Sequence, residues 1–172
     1  MAKTWGLILD NDTIDRVAGI ASDTALYSAR RFRPEFVEGA ERCRRAVLEP
    51  ASDVGLRREL RAALAARMAR MNASHALAAH YREKLAALGL NSDLEGIAHG
   101  GYPPSADRRL RAILRHVDLI TLVPRACTQA DTEGLVAQGL SVPEVVALSE
   151  LIGFLNFEVR IVATLGLLKE TE

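Results

Sequence analysis

Residues 56–88 read LRRELRAALAARMARMNASHALAAHYREKLAAL and are followed by Gly89. In the first half, Leu56, Leu60, Ala63, Leu64, Met68 and Met71 recur at the three-and-four spacing of one buried helix face. Arg57, Arg58, Arg61 and Arg70 are left for water or for a partner. Asn72 suits a turn or cap better than a helix interior, because its side chain competes for the backbone. Beyond it, Ala76, Leu77, Ala79, His80, Leu85, Ala86 and Leu88 form a second periodic run, which Gly89 stops just past its last turn. The stretch predicts two helices meeting near Asn72. Ala73 to His80 then form the first two turns of the second helix, at its positive end.

The 172 residues suit one domain, 1–172, long enough to bury a sizeable core. A hydrophobic share of 49% beside 26% charge describes an ordinary globule, and only 5% aromatic residues leave its core to Leu, Ala, Val and Ile. No run approaches eighteen consecutive apolar residues, so no membrane span is expected. Leu7, Ile8 and Leu9 are too short a run for a secretory leader, which makes the cytoplasm the expected compartment. Charges balance overall but not locally. Residues 1–90 hold fifteen Lys or Arg against eleven Asp or Glu, and residues 91–172 hold seven against eleven. A nucleic-acid partner would call for a distinctly basic domain, and none is expected. Complementary surfaces within the fold or between subunits fit this distribution, as do solvated faces. Cys43 and Cys127 belong to no metal or redox spacing and read as two free thiols.

The remaining segments also read as helices. Asp12 caps a short one to Ile20, with Ile14, Val17 and Ala18 inward; Ser22 or Asp23 caps a second, Asp23 to Arg31. Pro34 opens a third to about Leu48, burying Phe36, Val37, Ala40, Cys43 and Val47. Pro50 and Gly55 bracket a loop, and Ser92-Asp93 caps a short turn carrying Leu94 and Ile97. After the loop His99 to Pro104, Ser105 caps a helix to Leu122 with Leu110, Ile113, Leu114, Val117 and Ile120 on one face. Pro124 ends it. Thr128 caps Gln129 to Gln138, and Gly139 stops that helix. Ser141, with Pro143 and Glu144 in the first turn, starts a last helix apolar on nearly every side, as a central or subunit-interface helix would be. No segment alternates like a strand. The expected fold is an all-α bundle of about seven to nine helices.

On these residues the chain resembles the carboxymuconolactone decarboxylase/alkylhydroperoxidase D-like family, in particular its peroxidase-related branch. That family carries a Glu, a C-x-x-C beginning twelve residues later, and a His four after the second Cys. Its cysteines occupy the first turn of a helix, where the dipole favours a thiolate. Aligned on His80, the two Cys positions are Ala73 and Ala76, and the Glu position is Arg61. The resemblance extends through Leu110–Leu122, Cys127-Thr128-Gln129-Ala130-Asp131 to Gly139, and the final signature Gly153-Phe154-Leu155-Asn156-Phe157-Glu158-Val159-Arg160. Asp12 to Pro50 and His80-Tyr81-Arg82 are similar to a subgroup that has lost the cysteines. The resemblance implies a homo-oligomer, trimeric or hexameric, formed through long helices, and a companion relative with an intact motif. It implies no cofactor.

His80 reads in two ways: a general base in a pocket, or a half-buried ring bonded to the backbone or a tyrosine hydroxyl. His75 and His80 stand five apart, off a common helix face, so no metal site is expected. Arg61 and Arg67 read either as holders of a carboxylate or phosphate, or as solvated or intersubunit ion-pair partners. Tyr81, Asn72, Glu83 and Asn156 are further polar candidates for the same pocket. Three functions follow: a non-peroxidase binding or assembly subunit; an acid/base enzyme or decarboxylase of a small carboxylic acid, using His80 and Arg61; or a hydroperoxide reductase using Cys43 or Cys127.

Overall fold

Residues 61–69 are buried without a gap. A helix can be enclosed on all sides in this way only if most of its side chains are small, and here Ala62, Ala63, Ala65, Ala66 and Ala69 supply them. The computed structural model describes residues 12–170 apart from Leu90. This central helix is α4 (Arg58–Met71), against which α3 (Pro34–Leu48), α5 (His75–Gly89), α6 (Ser92–Ala98), α7 (Arg108–Leu122) and α9 (Val142–Lys169) pack. Two short helices, α1 (Thr13–Ala18) and α2 (Ala25–Arg30), lie against α9. A 3₁₀ turn (Pro124–Ala126) and α8 (Gln129–Ala137) connect α7 to α9. The described residues contain helices and no strand, so the all-α bundle is observed.

The expected single buried face of α4 is therefore wrong, and Arg61, expected at the surface, is 2% exposed. Alanine explains the error. It scores weakly in any hydrophobic pattern yet permits close approach from every direction.

The turn between α4 and α5 also departs from expectation. Asn72 is the C-cap of α4, and Ala73 follows with φ 56°, in the left-handed region. The Ser74 amide donates to the Ala69 carbonyl and the Ala73 amide to the Arg70 carbonyl, both at 2.9 Å, the paired bonds of a Schellman turn. α5 therefore begins at His75, and Ala73 closes the preceding helix instead of opening this one.

Elsewhere the starts shift by a residue or two. Thr24 caps α2, Asn91 caps α6 and Asp107 caps α7, each through its own side-chain oxygen. Thr128 and Ser141 cap α8 and α9 as expected, each in a capping box, Thr128 with Asp131 and Ser141 with Glu144. The face of α3 is rotated from the expected one. Phe36 and Cys43 are exposed, while Glu38, Glu41 and Arg44 are buried beside Val37, Ala40 and Val47. Glu41 and Arg44 neutralise each other and Glu38 pairs with the exposed Arg42, so these charges can occupy buried positions.

α9 lays one face along the bundle and leaves the other bare. By length and mean hydropathy it is also apolar enough to cross a membrane, a property expected of no segment; half of that stretch is buried inside the bundle.

Ala73 supplies a direct check on the turn. An L-residue in the left-handed region carries a steric cost that glycine lacks. Ala73→Gly is expected to raise stability by about 1 kcal/mol, read as a higher urea midpoint; a lower midpoint contradicts this geometry.

Candidate functional site

One cluster of buried polar groups lies where α3, α5 and α9 meet. Tyr81, on the inward side of α5, donates its hydroxyl to Glu158 Oε2 at 2.5 Å. Glu158 lies on the inner face of α9 with no exposed surface, and its other oxygen, Oε1, has no hydrogen-bond partner. Burial pushes the Glu158 carboxyl up to about 7, against the opposing pull of the Tyr81 hydrogen bond and of Arg44. Tyr81 is itself pushed well up, chiefly by burial and then by Glu158. From α3, Arg44 donates to Glu41 at 2.6 Å. Burial alone would raise Glu41; the Arg44 hydrogen bonds outweigh it and hold this carboxyl below its ordinary range.

His80 neighbours this cluster, its ring edge-on to Tyr81 with centroids 5.1 Å apart. Its Nε2 is buried and unpartnered. Burial, followed by the positive charges of Arg16, Lys84 and Arg44, lowers its pKa to about 4. The ring is thus neutral at neutral pH, while the nearby carboxylic acid is close to half-protonated. Arg44 and Tyr81 also line a cleft of about 260 Å³ that the exposed Arg58 and Lys84 share, so the cluster has an outlet toward solvent.

Other sequence candidates lie apart from it. Arg61 spends its guanidinium on three backbone carbonyls: Leu56 at 2.7 Å, Val47 at 2.8 Å and Asp53 at 3.0 Å. It faces no anion, and its role as a carboxylate holder is replaced by one in the fold. Arg67 turns to another side of α4, where it grips Asp118 in a two-pronged pair at 2.6 and 2.7 Å and donates to the Gly101 carbonyl. Tyr102 covers that pair, its ring 4.8 Å from the guanidinium and its hydroxyl donating to Asp118. Both arginines therefore find their partners within the chain, not in solvent.

Ala73, Ala76 and His75 are exposed. Asn72 bonds back to the Met68 carbonyl, and Glu83 lines a different, surface cleft beside Arg82 and Glu95. Asn156 donates to the Ile152 carbonyl within its own helix. Cys43 and Cys127 are free thiols, Cys43 exposed and Cys127 half-buried. Of the proposed pocket residues, only Tyr81 and His80 meet.

Glu158, Glu41 and Arg44 were missed from the sequence. Glu158 carried a signal, being the one acid between Leu151 and Leu165 in a helix of apolar residues. Glu41 and Arg44 carried none, lying among Glu38, Arg42 and Arg45 in what reads as a solvated surface.

Among solved structures, the chain is similar to an uncharacterized peroxidase-related protein from Silicibacter sp. TM1040. Identity is 18%, the match covers 77% of this chain and 69% of that one, and the TM-score is 0.66. The two share a helical fold. No family model and no curated protein matches the chain.

The two perturbed groups make opposite demands on stability. Folded Glu158 keeps its proton to about pH 7, whereas an unfolded glutamate loses it near ~4.3. Its contribution is whole in acid and is lost as pH rises through that interval. Folded His80 stays neutral down to about 4, whereas unfolded histidine protonates near ~6.5. Its contribution is whole above that value and is lost as pH falls to about 4. Relative to the parent, Glu158→Gln should therefore gain stability as pH rises from about 4.5 to 7, by on the order of 3 kcal/mol. Urea unfolding at several pH values measures this, and a difference independent of pH contradicts it.

Proposed function

We propose that this protein is a non-peroxidase relative of the alkylhydroperoxidase D-like group, working as a binding or assembly subunit. In this reading it is a cytoplasmic homo-oligomer of three or six copies and a companion to a relative that retains the cysteine pair. The observation that carries the proposal is Arg61. At the position where the family's proton-handling Glu belongs, this chain has a guanidinium committed to three backbone carbonyls. The two thiol positions are alanines, one of them outside the helix whose dipole would activate a thiolate. Neither natural cysteine compensates, since neither belongs to a spacing that supplies a resolving partner.

A second reading rests on the Glu158–Tyr81 pair. A buried carboxylic acid with a pKa near 7, one free oxygen and a neutral imidazole nearby is suited to proton transfer. The cleft beside it, lined by Arg44, Arg58 and Lys84 against one acid, Glu49, suits a small carboxylic acid as substrate. In this version Glu158 takes the proton-transfer role expected of His80, Arg58 and Lys84 take the anion-holding role expected of Arg61, and His80 stays as the neutral partner.

Two assays separate these readings. With a dithiol reductant and either hydrogen peroxide or an alkyl hydroperoxide, the protein is expected to show no turnover above the uncatalysed rate. Thiol-dependent turnover that disappears in Cys43→Ala or Cys127→Ala overturns the first reading in favour of a reductase. Release of carbon dioxide from a small carboxylic acid, abolished by Glu158→Gln but not by Glu83→Gln, establishes the second.

A further inference from the structure

The outer face of α9 carries an exposed apolar stripe. Val142, Val146, Phe157 and Leu167 are 67%, 50%, 45% and 67% exposed. Large apolar side chains repeated along one helix face in this way mark an interaction surface. The stripe is also arranged symmetrically. Leu155 is fully buried and points into the bundle. Counting outward from it, Gly153 and Phe157 stand two residues either side, Glu150 and Arg160 five, Val146 and Thr164 nine, and Val142 and Leu168 thirteen. All eight are exposed.

From this arrangement we infer that α9 pairs with α9 of a second copy of the chain, antiparallel, about a two-fold axis level with Leu155. The inference rests on the homo-oligomer reading above and adds its interface, its register and an even number of subunits.

Self-complementarity identifies the occupant. An antiparallel helix pair centred on one residue brings positions equally far before and after it to the same level. Here that sets an acid level with a base, twice: Glu150 with Arg160 of the second copy, and the reverse. Among the described residues neither forms an ion pair within the chain. Arg160 donates only to the carbonyl of Asn156, and Glu150 feels the buried Arg61 at a distance.

The same register sets the largest side chain of the stripe, Phe157, beside its smallest, Gly153. A Cβ built on Gly153 meets nothing within 4 Å, so the fold itself gives no reason for a glycine in the middle of this helix. A neighbouring helix gives one, because the gap admits the partner's phenylalanine as a knob enters a hole. Phe157 is held for that role against Phe154, their ring centroids 6.1 Å apart. The stripe carries one acid and one base near its middle, which favours a copy of itself over an anionic lipid surface.

A two-fold contact of this kind generates dimers, or hexamers if combined with a three-fold, and is incompatible with a lone trimer.

The test uses the full chain with Cys43→Ser and Cys127→Ser, into which Val146→Cys and Thr164→Cys are introduced in separate preparations. In the proposed register, each cysteine in a symmetric dimer lies about 27 Å along the axis from its own copy but level with the other kind. Mild oxidation of the mixture is expected to give disulfide-linked heterodimers, and oxidation of either preparation alone is expected to give none. Separately, Glu150→Arg should raise the dimer dissociation constant by about tenfold or more, and adding Arg160→Glu should restore it. Circular dichroism confirms that each variant folds.

A protein that sediments as a monomer overturns both this inference and the homo-oligomer reading. An intact oligomer with no mixed disulfide, and with no response to charge reversal, overturns the α9 register alone. A monomer that floats with phosphatidylcholine vesicles assigns the stripe to a lipid surface and overturns the inference likewise.

Discussion

A guanidinium enclosed in protein without a counter-ion is tolerable only if backbone dipoles take the place of the anion, and Arg61 is held in this way. Its three carbonyl partners are Val47, in the last turn of α3, and Asp53 and Leu56, in the loop that follows. The end of a helix leaves carbonyls without intrahelical donors and carries the negative end of the dipole. Arg61 meets both needs. It ties the end of α3 and the loop through Pro50 and Gly55 onto α4, the helix that every long element touches. Burial lowers the pKa of Arg61, yet an arginine stays charged over any ordinary pH. The bond set is therefore permanent and does not switch.

That commitment shapes what remains available for function. In a proton relay, the residue at this place must be free to gain and lose a charge. Here it is structural, and the titratable groups lie elsewhere, Tyr81 and His80 on α5 and Glu158 on α9. The same helix that buries Glu158 against Tyr81 presents Phe157 and Gly153 outward. α9 therefore joins the polar centre of the bundle to an exposed apolar surface within one turn.

Most of the fold was legible because its signals are local. The caps at Thr128 and Ser141, the breaks at Pro34 and Pro124, and the terminating Gly139 act over a few residues, and the structure has each of them in place. What was not legible depends on partners distant in sequence. Arg61 reads as a surface residue until the end of α3 is known to lie beside it, and Arg67 until Asp118, fifty-one residues away, is seen to pair with it. The face of α3 was misjudged for the same reason, since Glu41 and Arg44 pass for solvated charges unless their mutual neutralisation is visible. Ala73 was placed in the wrong helix because alanine gives no sign of a left-handed turn. The candidate site was the least legible part: Tyr81 and His80 were named, but Glu158, which gives the pair its chemistry, stood out only as an isolated acid in an apolar helix.

The central claim is that Arg61 serves the fold and no longer serves a reaction, and unfolding of Arg61→Met and Arg61→Glu tests it most directly. Both keep a long side chain but leave the buried carbonyls of Leu56 and Val47 without their donor, each costing about 1–3 kcal/mol, while the Asp53 carbonyl keeps the Leu56 amide. The account predicts that both variants lose several kcal/mol of stability in urea and that Arg61→Glu, with the family's carboxylate restored, gains no peroxide turnover. An Arg61→Glu protein as stable as the parent would show that the clamp is dispensable and contradict the account.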